Sequence, residues 1–457
     1  MKVIISGAGR VGAGIAARLA AENNTVTVID TSADLIRTLT TELDVRGYIG
    51  NGAFPDVLER AGIRDADMII AVTFSDEVNM VACQVAHSLF GVPTKVARIR
   101  AASYLESAYN DLYSRENMPI DIIISPEVEI GEAVLRRLAV PGATEVVPFA
   151  DGRVQLLGVQ IDEDAPLVGT PISQIAGLFP GLHSEVVGIR RDGALFAPTD
   201  TDPLEAGDTA YIVTQTEQSA RLLEIMGKSQ DSARQLVIIG GGSIGRYVAE
   251  KLERERGVRV RIIEIDQAVA ESAATELRKT VVLHGDAMDP GLQDEAGVPN
   301  AELVLSLTDS DQTNLLASTL AKSLGAKAVG ALVNEPSMQS LRDELDIDMV
   351  IDPRGSTVSS ILRHVRRGRI LDVHALEGGG AEVMEGEVLE TSPLAGKTVA
   401  SAESAAGMNF GAVLRGEDIL QPEPDMTIRA GDRVILLAED AVLGEVEQMF
   451  RVSMDYF

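Results

Sequence analysis

Three glycines and one aspartate near the start of the chain have the spacing of a phosphate-binding turn. Gly7, Gly9 and Gly12 follow a short apolar strand, the helix-forming stretch 11–21 comes next, and Asp30 ends the following strand. In this pattern the first glycine makes a tight turn, the second lets a pyrophosphate approach the backbone, and the third permits close helix–sheet packing. Amides at the helix start would face the phosphates, while Asp30 would bind ribose hydroxyls and repel a 2′-phosphate. The pattern predicts a dinucleotide site that prefers NAD to NADP; a glycine turn without a ligand is the alternative.

The same pattern occurs a second time. Gly240, Gly242 and Gly245 follow another apolar strand, and Glu264 stands at the acidic position. This copy is either a working adenine-nucleotide site or a duplicated scaffold whose pocket has drifted. We favour the working site.

The two copies differ in positive charge. Arg10 lies within the first glycine turn, and the strand 95–100 places Arg98 and Arg100 on one face, at the edge where open parallel sheets bind ligands. Guanidinium groups bind phosphate bidentately. The corresponding residues of the second copy carry no charge: Ser243, Leu332 and Asn334. We therefore expect the first pocket to accept extra terminal phosphate, as in ATP or ADP, and the second to suit NAD(H) or a less charged adenosine ligand. A solvated edge or a salt bridge to a carboxylate is the alternative for Arg98 and Arg100.

Polar side chains also follow two other strand ends. Asp76 and Asn79 begin a helix after one strand, and Asp311 and Asn314 do so in the second copy. Helix capping and contact with the ribose or nicotinamide are both compatible with these positions.

Residues for catalysis are missing from the sequence. A dehydrogenase needs a proton donor against the nicotinamide, but the five histidines are scattered: His87, His183, His284, His364 and His374. HExxH and phosphate-loop lysine motifs are absent. The single cysteine, Cys83, lies in an apolar helical run and is expected to be a small buried side chain. We therefore predict no catalytic residue, no metal site, and binding without catalysis.

The elements that would position these residues are written twice along the chain. Several segments recur in the same order, and their pairs are Lys2–Gly12 with Leu236–Gly245, Gly50–Ala53 with His284–Ala287, Ala71–Asn79 with Ser306–Asn314, Ile120–Pro126 with Ile347–Pro353, Pro166–Gly169 with Pro393–Gly396, and Glu205–Val213 with Arg429–Leu437. A duplication is the economical explanation. It predicts large units at 1–140 and 234–369, small units at 145–227 and 372–457, and a polar linker at 227–232.

The large units have the pattern of an α/β fold. Short β-branched runs such as Val26–Ile29, Met68–Val72, Lys95–Ile99 and Asp121–Ile124 alternate with helical stretches. Continuous apolar runs between helices indicate buried parallel strands, and a glycine turn after the first strand indicates a Rossmann-like, doubly wound sheet. The small units have short strands, turns and little helix, so each is predicted to be a small α+β lobe following its sheet domain.

Charge and hydropathy argue against a nucleic-acid partner and against a membrane-spanning segment. Forty Lys and Arg against 69 Asp and Glu give a net charge of −29, which argues against nucleic acid as a main partner. No apolar run approaches the roughly 18 residues of a membrane span, and the amino terminus leads directly into a strand without a leader pattern. We expect a cytoplasmic chain whose role at a membrane is exercised through a partner.

Taken together, these motifs resemble the TrkA family, the regulatory subunits of bacterial Trk potassium uptake systems, which carry two tandem RCK (regulator of K⁺ conductance) units. The resemblance covers essentially the whole chain and rests on segments 7–12, 76–80, 284–286, 362–368 and 374–379. It implies a homotetrameric ring, peripheral on the inner face of the membrane beneath a TrkH- or TrkG-type potassium channel. It also implies that NAD(H), ATP or ADP binding to the Rossmann lobes changes the shape of the ring and gates the channel.

The resemblance also carries over binding positions. In the first lobe these are Gly7, Ala8, Gly9, Arg10, Val11, Asp30, Asn51, Gly52, Thr73, Phe74 and Arg98; in the second they are Gly240, Gly241, Gly242, Ser243, Ile244, Glu264, Asp286 and Thr308. Gly12, Gly245 and Arg100 belong to the predicted sites through the glycine spacing and the strand pattern described above. The sequence departs from the family pattern at Leu332, where an arginine is often found, and at Asn51, where aspartate is usual.

Two other classes of function stay open at this point. An NAD-dependent soluble oxidoreductase would transfer hydride in an absorbance assay. A regulator of another cation transporter, such as an antiporter, would co-purify with a different membrane partner.

Overall fold

The structure is a computed structural model. It describes residues 1–21, 24–105, 107–179, 181–228, 233–339, 341–342, 344–353, 358, 361, 370–376, 379–403 and 407–450. Most of the linker predicted at 227–232, the end of the unit predicted at 234–369, the segment 362–368 with His364, and residues 377–378 lie outside them. The chain forms two compact units, which we describe separately: Met1–Ile130 with the described part of 353–364, and Gly131–Asp352 with the described part of 365–457.

The first sheet consists of six parallel strands. They are β1 (Lys2–Ser6), β2 (Thr25–Asp30), β3 (Arg46–Ile49), β4 (Met68–Ala71), β5 (Thr94–Arg98) and β6 (Ile122–Ile124). Their order is β3-β2-β1-β4-β5-β6, the doubly wound order expected of a Rossmann sheet. The helices between and after them are α1 (Arg10–Ala21), α2 (Ala33–Glu42), α3 (Pro55–Arg60), α4 (Asp76–Phe90) and α5 (Pro126–Ala139). We call these elements the first Rossmann lobe.

A small antiparallel sheet follows. Its strands are β7 (Glu145–Phe149), β8 (Val154–Gln160), β9 (Ser184–Arg191), β10 (Ala194–Phe196) and β11 (Thr209–Gln215), and its helices are α6 (Ile172–Leu178) and α7 (Ser219–Ile225). The strand order is β10-β9-β11-β8-β7. A tight turn at Asp192 and Gly193, both with positive φ, joins β9 to β10. This first small lobe has the short strands and turns that the sequence predicts.

The second Rossmann lobe repeats the first. Its strands are β12 (Gln235–Ile239), β13 (Arg259–Glu264), β14 (Val281–His284), β15 (Leu303–Ser306), β16 (Val329–Leu332) and β17 (Met349–Ile351), in the order β14-β13-β12-β15-β16-β17. Its helices are α8 (Ser243–Leu252), α9 (Gln267–Glu276), α10 (Pro290–Glu295), α11 (Asp311–Leu324) and α12 (Pro336–Gln339). All of its strand pairs are parallel, as in the first sheet.

The second small lobe repeats the first small lobe. It contains β18 (Ile370–Ala375), β19 (Ala381–Glu387), β20 (Met408–Arg415), β21 (Asp418–Leu420) and β22 (Arg433–Glu439), in the order β18-β19-β22-β20-β21. The helices are α13 (Val399–Ala402) and α14 (Leu443–Met449). The fold class predicted from the sequence is thus confirmed: two tandem doubly wound parallel sheets, each followed by a small lobe.

The structure corrects one register of the repeat. The sequence comparison matches Gly50 with His284, but the structure makes Gly50 equivalent to Gly285. The Gly50 amide donates to the carbonyl of Asp30, and the Gly285 amide donates to the carbonyl of Glu264, the corresponding residue of the second lobe. The helices α3 and α10 then begin at equivalent prolines. Asn51 is therefore the counterpart of Asp286. Sequence similarity alone slipped by one residue because short glycine-rich matches do not fix a strand register.

Two further expectations concern the burial of Cys83 and the presence of membrane-spanning helices. Cys83 is fully buried and free, and burial raises the pKa of its thiol to about 12, so it is the buried apolar residue that the sequence predicts. Within the described part of the chain, no helix is long and apolar enough to cross a membrane.

Candidate functional site

The two glycine turns have nearly identical geometry. Gly7 has φ +115° and Gly240 has φ +105°, a left-handed conformation that favours glycine. A Cβ on Gly12 would lie 1.9 Å from the carbonyl oxygen of Gly7, so only glycine permits this close packing. A Cβ on Gly9 would meet nothing within 4 Å, which leaves the backbone approachable from outside.

The second turn shows the same three features. A Cβ on Gly245 would lie 2.0 Å from the carbonyl oxygen of Gly240, and one on Gly242 would meet nothing within 4 Å. Ser243 is exposed at the start of α8, and Ile244 beside it is half-buried, as Val11 is in α1. Both turns therefore present helix-start amides at a sheet edge, the arrangement that binds anions.

The acidic residues that end β2 and β13 brace these turns. Asp30 accepts hydrogen bonds from the amides of Ala8 (2.7 Å) and Ser32 (2.8 Å). Glu264 accepts from the amides of Gly241 (2.6 Å) and Asp266 (2.8 Å). Each carboxylate oxygen has lone-pair capacity beyond these bonds, so the predicted ribose contact is chemically compatible with the bracing.

The loops after β3 and β14 are also equivalent. The Asn51 side chain accepts from the amide of Ala53 at 2.9 Å, and Asp286 accepts from the amide of Met288 at 2.8 Å. Asparagine thus supports the first loop as aspartate supports the second. Gly52 is required there because a Cβ would lie 2.0 Å from the Ser6 Oγ.

Asn79 and Asn314 hold the neighbouring strand ends together. The Asn79 side-chain oxygen accepts from the amide (2.8 Å) and hydroxyl (2.7 Å) of Thr73, and its amide donates to the carbonyls of Thr73 (3.1 Å) and Arg98 (2.9 Å). Asn314 makes the same four bonds, with Thr308 and the Leu332 carbonyl. Both asparagines are fully buried.

The capping alternative for these residues is wrong. The helix caps are Ser75 and Ser310, whose side chains accept from Val78 and Thr313. Asp76, just inside α4, instead accepts at its Oδ2 from the amides of Arg100 and Ala101, both at 2.9 Å. Asp76, one position after the cap, turns toward the loop that follows β5 because the backbone amides of that loop donate to its carboxylate.

The arginines of the first lobe converge on one exposed aromatic ring. The guanidinium carbons of Arg98 and Arg100 both lie 5.9 Å from the centre of the Phe74 ring, a cation–π arrangement. The Phe74 side chain is 78% exposed. The sequence predicts one strand at 95–100, but β5 ends at Arg98 and Arg100 lies in the loop after it. The two side chains nevertheless meet.

Glu127 completes this cluster, and the sequence analysis missed it. Its Oε1 lies 2.8 Å from the Arg100 Nε and 4.0 Å from a terminal nitrogen of Arg98. The salt bridge to a carboxylate that the sequence left open for Arg98 and Arg100 is therefore formed, with Glu127. Burial lowers the pKa of the Arg98 guanidinium, while the charge of Glu127 acts in the opposite direction. The sequence signal that could have indicated Glu127 is its place as an acidic residue in the first turn of the helix after β6.

Arg10 stands apart from this cluster. It is exposed at the first position of α1. Its guanidinium makes no ion pair with any residue in the ranges described above. It is free to contact an anion at the glycine turn.

Unsatisfied buried atoms distinguish the two Rossmann lobes. In the first lobe they include five at the carboxyl edge of the sheet that find no hydrogen-bond partner among the described residues: Ser6 Oγ, Asp76 Oδ1, Arg98 Nε, Ser125 Oγ and Glu127 Oε2. In the described part of the second Rossmann lobe the only such atom is Gln293 Oε1. Buried polar atoms without partners are costly and rare.

The second lobe satisfies the counterpart of Asp76 Oδ1 internally and has an apolar residue in place of Arg98. The Asn334 side chain donates to Asp311 Oδ1 at 2.8 Å, where the first lobe has Arg100 and leaves Asp76 Oδ1 without a partner. Leu332 replaces Arg98 and is buried. The counterpart of Glu127, residue 354, lies outside the described ranges.

Two Rossmann sheets, each with one glycine turn and each followed along the chain by an antiparallel lobe, define a tandem nucleotide-binding-fold protein. The family model of the TrkA-N domain matches residues 3–126 and 236–353, and that of the TrkA-C domain matches residues 156–227 and 383–451. The Trk system potassium uptake protein TrkA of Azorhizobium caulinodans is 48% identical over 458 residues, covering all of both chains. The protein of the same name from Halomonas elongata is 38% identical over 461 residues, again covering both chains completely. The chain belongs to the TrkA family.

Solved structures with the same fold come from a channel. A structure described as the GsuK channel bound to NAD has a TM-score of 0.60 and 20% identity, covering 98% of this chain and 78% of that one. A structure of GsuK bound to ADP has a TM-score of 0.50 and 15% identity, covering 79% and 68%. At these identities the likeness concerns the fold. Membership of the TrkA family makes the chain a regulatory subunit of a potassium uptake system and not an enzyme, so the oxidoreductase alternative is excluded.

Proposed function

We propose that this chain is a cytoplasmic, nucleotide-sensing subunit that gates a TrkH- or TrkG-type potassium channel. It would act as a homotetrameric ring, peripheral on the inner face of the membrane, with the four domains 1–140, 145–227, 234–369 and 372–457 in each chain. Family membership supports the potassium uptake role. The GsuK structures bound to NAD and ADP share the fold and support a nucleotide as the ligand class.

The ligands would differ between the lobes. The first site would bind ATP or ADP, and the second would bind NAD(H). One observation carries this assignment: at the carboxyl edge of the first lobe Arg98 Nε is buried without a partner among the described residues, whereas the second lobe has the buried Leu332 at that position. Terminal phosphates offer several acceptor oxygens to guanidinium donors, and Arg10, Arg98 and Arg100 are the donors at that edge. A glycine turn braced by Glu264 without arginines suits a less charged ligand.

Gating would follow from differential affinity. A ligand shifts an equilibrium between two ring shapes only to the extent that it binds one shape more tightly. A terminal phosphate adds charge where Arg10 is exposed, and this charge supplies such a difference.

Calorimetry on the full chain tests the assignment. We expect Arg98→Ala to weaken ATP binding about tenfold or more, since it removes a partly buried charge-assisted contact, and to leave NAD affinity unchanged. Leu332 is the matched position in the second lobe, where Leu332→Ala should not affect ATP. Equal ATP affinity for wild type and Arg98→Ala would refute the first-site assignment, and mass spectrometry of ligands retained through native purification would identify the occupants independently.

A further inference from the structure

We infer that Glu127 sets the affinity of the first site for nucleoside polyphosphates, because its carboxylate occupies the guanidinium groups that a terminal phosphate must take. This inference rests on the proposed function of the first site. It makes Glu127 a specificity-determining residue whose side chain is displaced when a polyphosphate binds and stays in place when a less charged ligand binds.

The position of Glu127 supports this role. It is the second residue of α5, and its side chain is 12% exposed, as is that of Arg98. The Arg100 side chain is 42% exposed and donates through its Nε to Glu127 Oε1. One carboxylate oxygen therefore faces both cations at the outer edge of the sheet.

The pairing is incomplete on both sides. Glu127 Oε2 and Arg98 Nε are buried and have no partner within the described ranges, and the distance of 4.0 Å from Glu127 to Arg98 is beyond a hydrogen bond. A guanidinium has five N–H donors. A phosphate group, with more acceptor oxygens and more charge than a carboxylate, can satisfy donors that Glu127 leaves unused.

Phe74 would keep the cations in place after Glu127 has moved. Its ring contacts both guanidinium groups at 5.9 Å, so Arg98 and Arg100 retain a support that does not depend on the carboxylate. The site is thus prepared to exchange one anion for another without losing its donors.

Asp76, the other carboxylate beside Arg98, is held differently. Its Oδ2 accepts from the backbone amides of Arg100 and Ala101, so moving it would break the loop after β5. The Glu127 carboxylate accepts, among the described residues, only from the Arg100 side chain. Of the two carboxylates, Glu127 is therefore the one that can leave.

The test compares Glu127→Gln with Glu77→Gln by calorimetry in magnesium-free buffer. Glu77 is an exposed carboxylate in the first turn of α4 at the same sheet edge, and its hydrogen bond is to Ser75 rather than to an arginine. We expect Glu127→Gln to tighten ATP and ADP binding about five- to tenfold, the range for releasing a partly buried ion pair. AMP and NAD affinities should change less than about twofold, and Glu77→Gln should change none of them.

A variant with Arg98→Ala and Arg100→Ala assigns the effect to this site. In that background Glu127→Gln should no longer tighten ATP, because the competing pair is absent. An unchanged or weakened ATP affinity in Glu127→Gln alone, or an effect that persists in the double background, would overturn the inference while leaving ATP binding itself intact. If neither ATP nor ADP binds wild type or any variant, the proposed first site fails and the inference fails with it.

Hydrogen exchange on the unmodified chain provides a second measurement. Displacement of Glu127 removes the contact between the first turn of α5 and Arg100, so ATP should speed amide exchange in residues 127–130, whereas NAD should not. Unchanged exchange in this segment at saturating ATP would contradict the displacement.

Discussion

Arg100 and Asn334 occupy equivalent positions in the two Rossmann lobes and have different effects on their surroundings. The Asn334 amide satisfies the second oxygen of Asp311. Arg100 turns to Glu127 and Phe74 instead, which leaves Asp76 Oδ1 without a partner among the described residues. A single residue type thus decides whether this edge is closed internally or offers charge to a ligand.

Gly9 and Gly12 provide a prediction at the same scale. Gly9→Ala should fold with a free energy of unfolding within about 1 kcal/mol of wild type, because its Cβ would meet open space. It should lose nucleotide affinity, since the added methyl group lies where the pyrophosphate approaches the backbone.

Gly12→Ala should behave in the opposite way. Its Cβ would lie 1.9 Å from a backbone oxygen, so it should destabilise the lobe by about 3 kcal/mol or more. Urea denaturation and calorimetry of both variants check the pair. Wild-type nucleotide affinity in a folded Gly9→Ala protein would contradict the predicted approach of the ligand.

Glu185 in β9 gives a pH-dependent prediction. Burial raises the pKa of its carboxyl from 4.5 to about 7, opposed by a hydrogen bond from Gln421 and assisted by the charges of Glu403 and Asp200. Because the folded state keeps this proton to higher pH than the unfolded chain, stability should fall as pH rises from about 4.5 to about 7.

The size of this loss is about 3 kcal/mol. Glu185→Gln should remove the corresponding slope and be the more stable protein at pH 8, since the amide can still accept from Gln421. Thermal denaturation between pH 5 and pH 8 measures the difference, with the exposed Glu217→Gln as a control. Parallel pH profiles for wild type and Glu185→Gln would disprove the raised pKa.

At the scale of elements, each Rossmann lobe fastens its strand ends with a buried asparagine. Asn79 on α4 joins the ends of β4 and β5 through Thr73 and Arg98, and Asn314 on α11 does the same in the second lobe. Parallel strands end at one edge without hairpins between them, so side chains must set the spacing of their loops. The asparagine thereby positions both Phe74 and Arg98.

Removing this link should cost more than removing a helix cap. Asn79→Ala removes four hydrogen bonds of a fully buried side chain and should reduce the free energy of unfolding by about 3 kcal/mol or more. It should also weaken ATP binding because Arg98 loses its anchor. Ser75→Ala should cost about 1 kcal/mol. Urea denaturation compares the two, and equal losses would show that the four bonds add little beyond ordinary capping.

The small lobes repeat another pairing of elements. Arg191 binds Asp208 with two hydrogen bonds at 2.8 Å, and Arg415 binds Asp432 at 2.9 and 2.8 Å. Each pair connects the first strand of a hairpin, β9 or β20, to the turn before the strand that pairs with it on its other side, β11 or β22. Both aspartates are buried. The duplication therefore preserved the scaffold contacts of the small lobes, while the carboxyl edges of the Rossmann lobes diverged.

At the scale of the whole molecule, the proposed ring predicts a change of shape without a change of mass. Multi-angle light scattering should give four times the 48.5 kDa of one chain, with and without nucleotide. Small-angle scattering should show that ATP and NAD favour different shapes, because each ligand stabilises the ring that binds it better. A monomer or dimer at micromolar concentration, or identical scattering with the two ligands, would refute the ring mechanism.

The local pattern of the sequence predicts much of the fold. The first strands, the glycine turns and the helices that follow appear where apolar runs and glycine spacing indicate them, since these features depend on neighbouring residues. The strand at 95–100 was predicted too long because Asp76, from another element, captures the amides of Arg100 and Ala101. The repeat slipped by one residue at Gly50 because only strand pairing fixes that register.

By itself the sequence determined the duplication, the two glycine turns with their acidic partners, and the excess of arginine in the first copy. These are properties of residue type and spacing along the chain. Only the tertiary structure decided that Glu127 meets Arg98 and Arg100, that Phe74 supports both cations, and that five polar atoms of the first lobe are buried without partners among the described residues. Such contacts join residues from separate strand ends, and their existence depends on where the sheet places those ends and in which direction each side chain leaves the backbone.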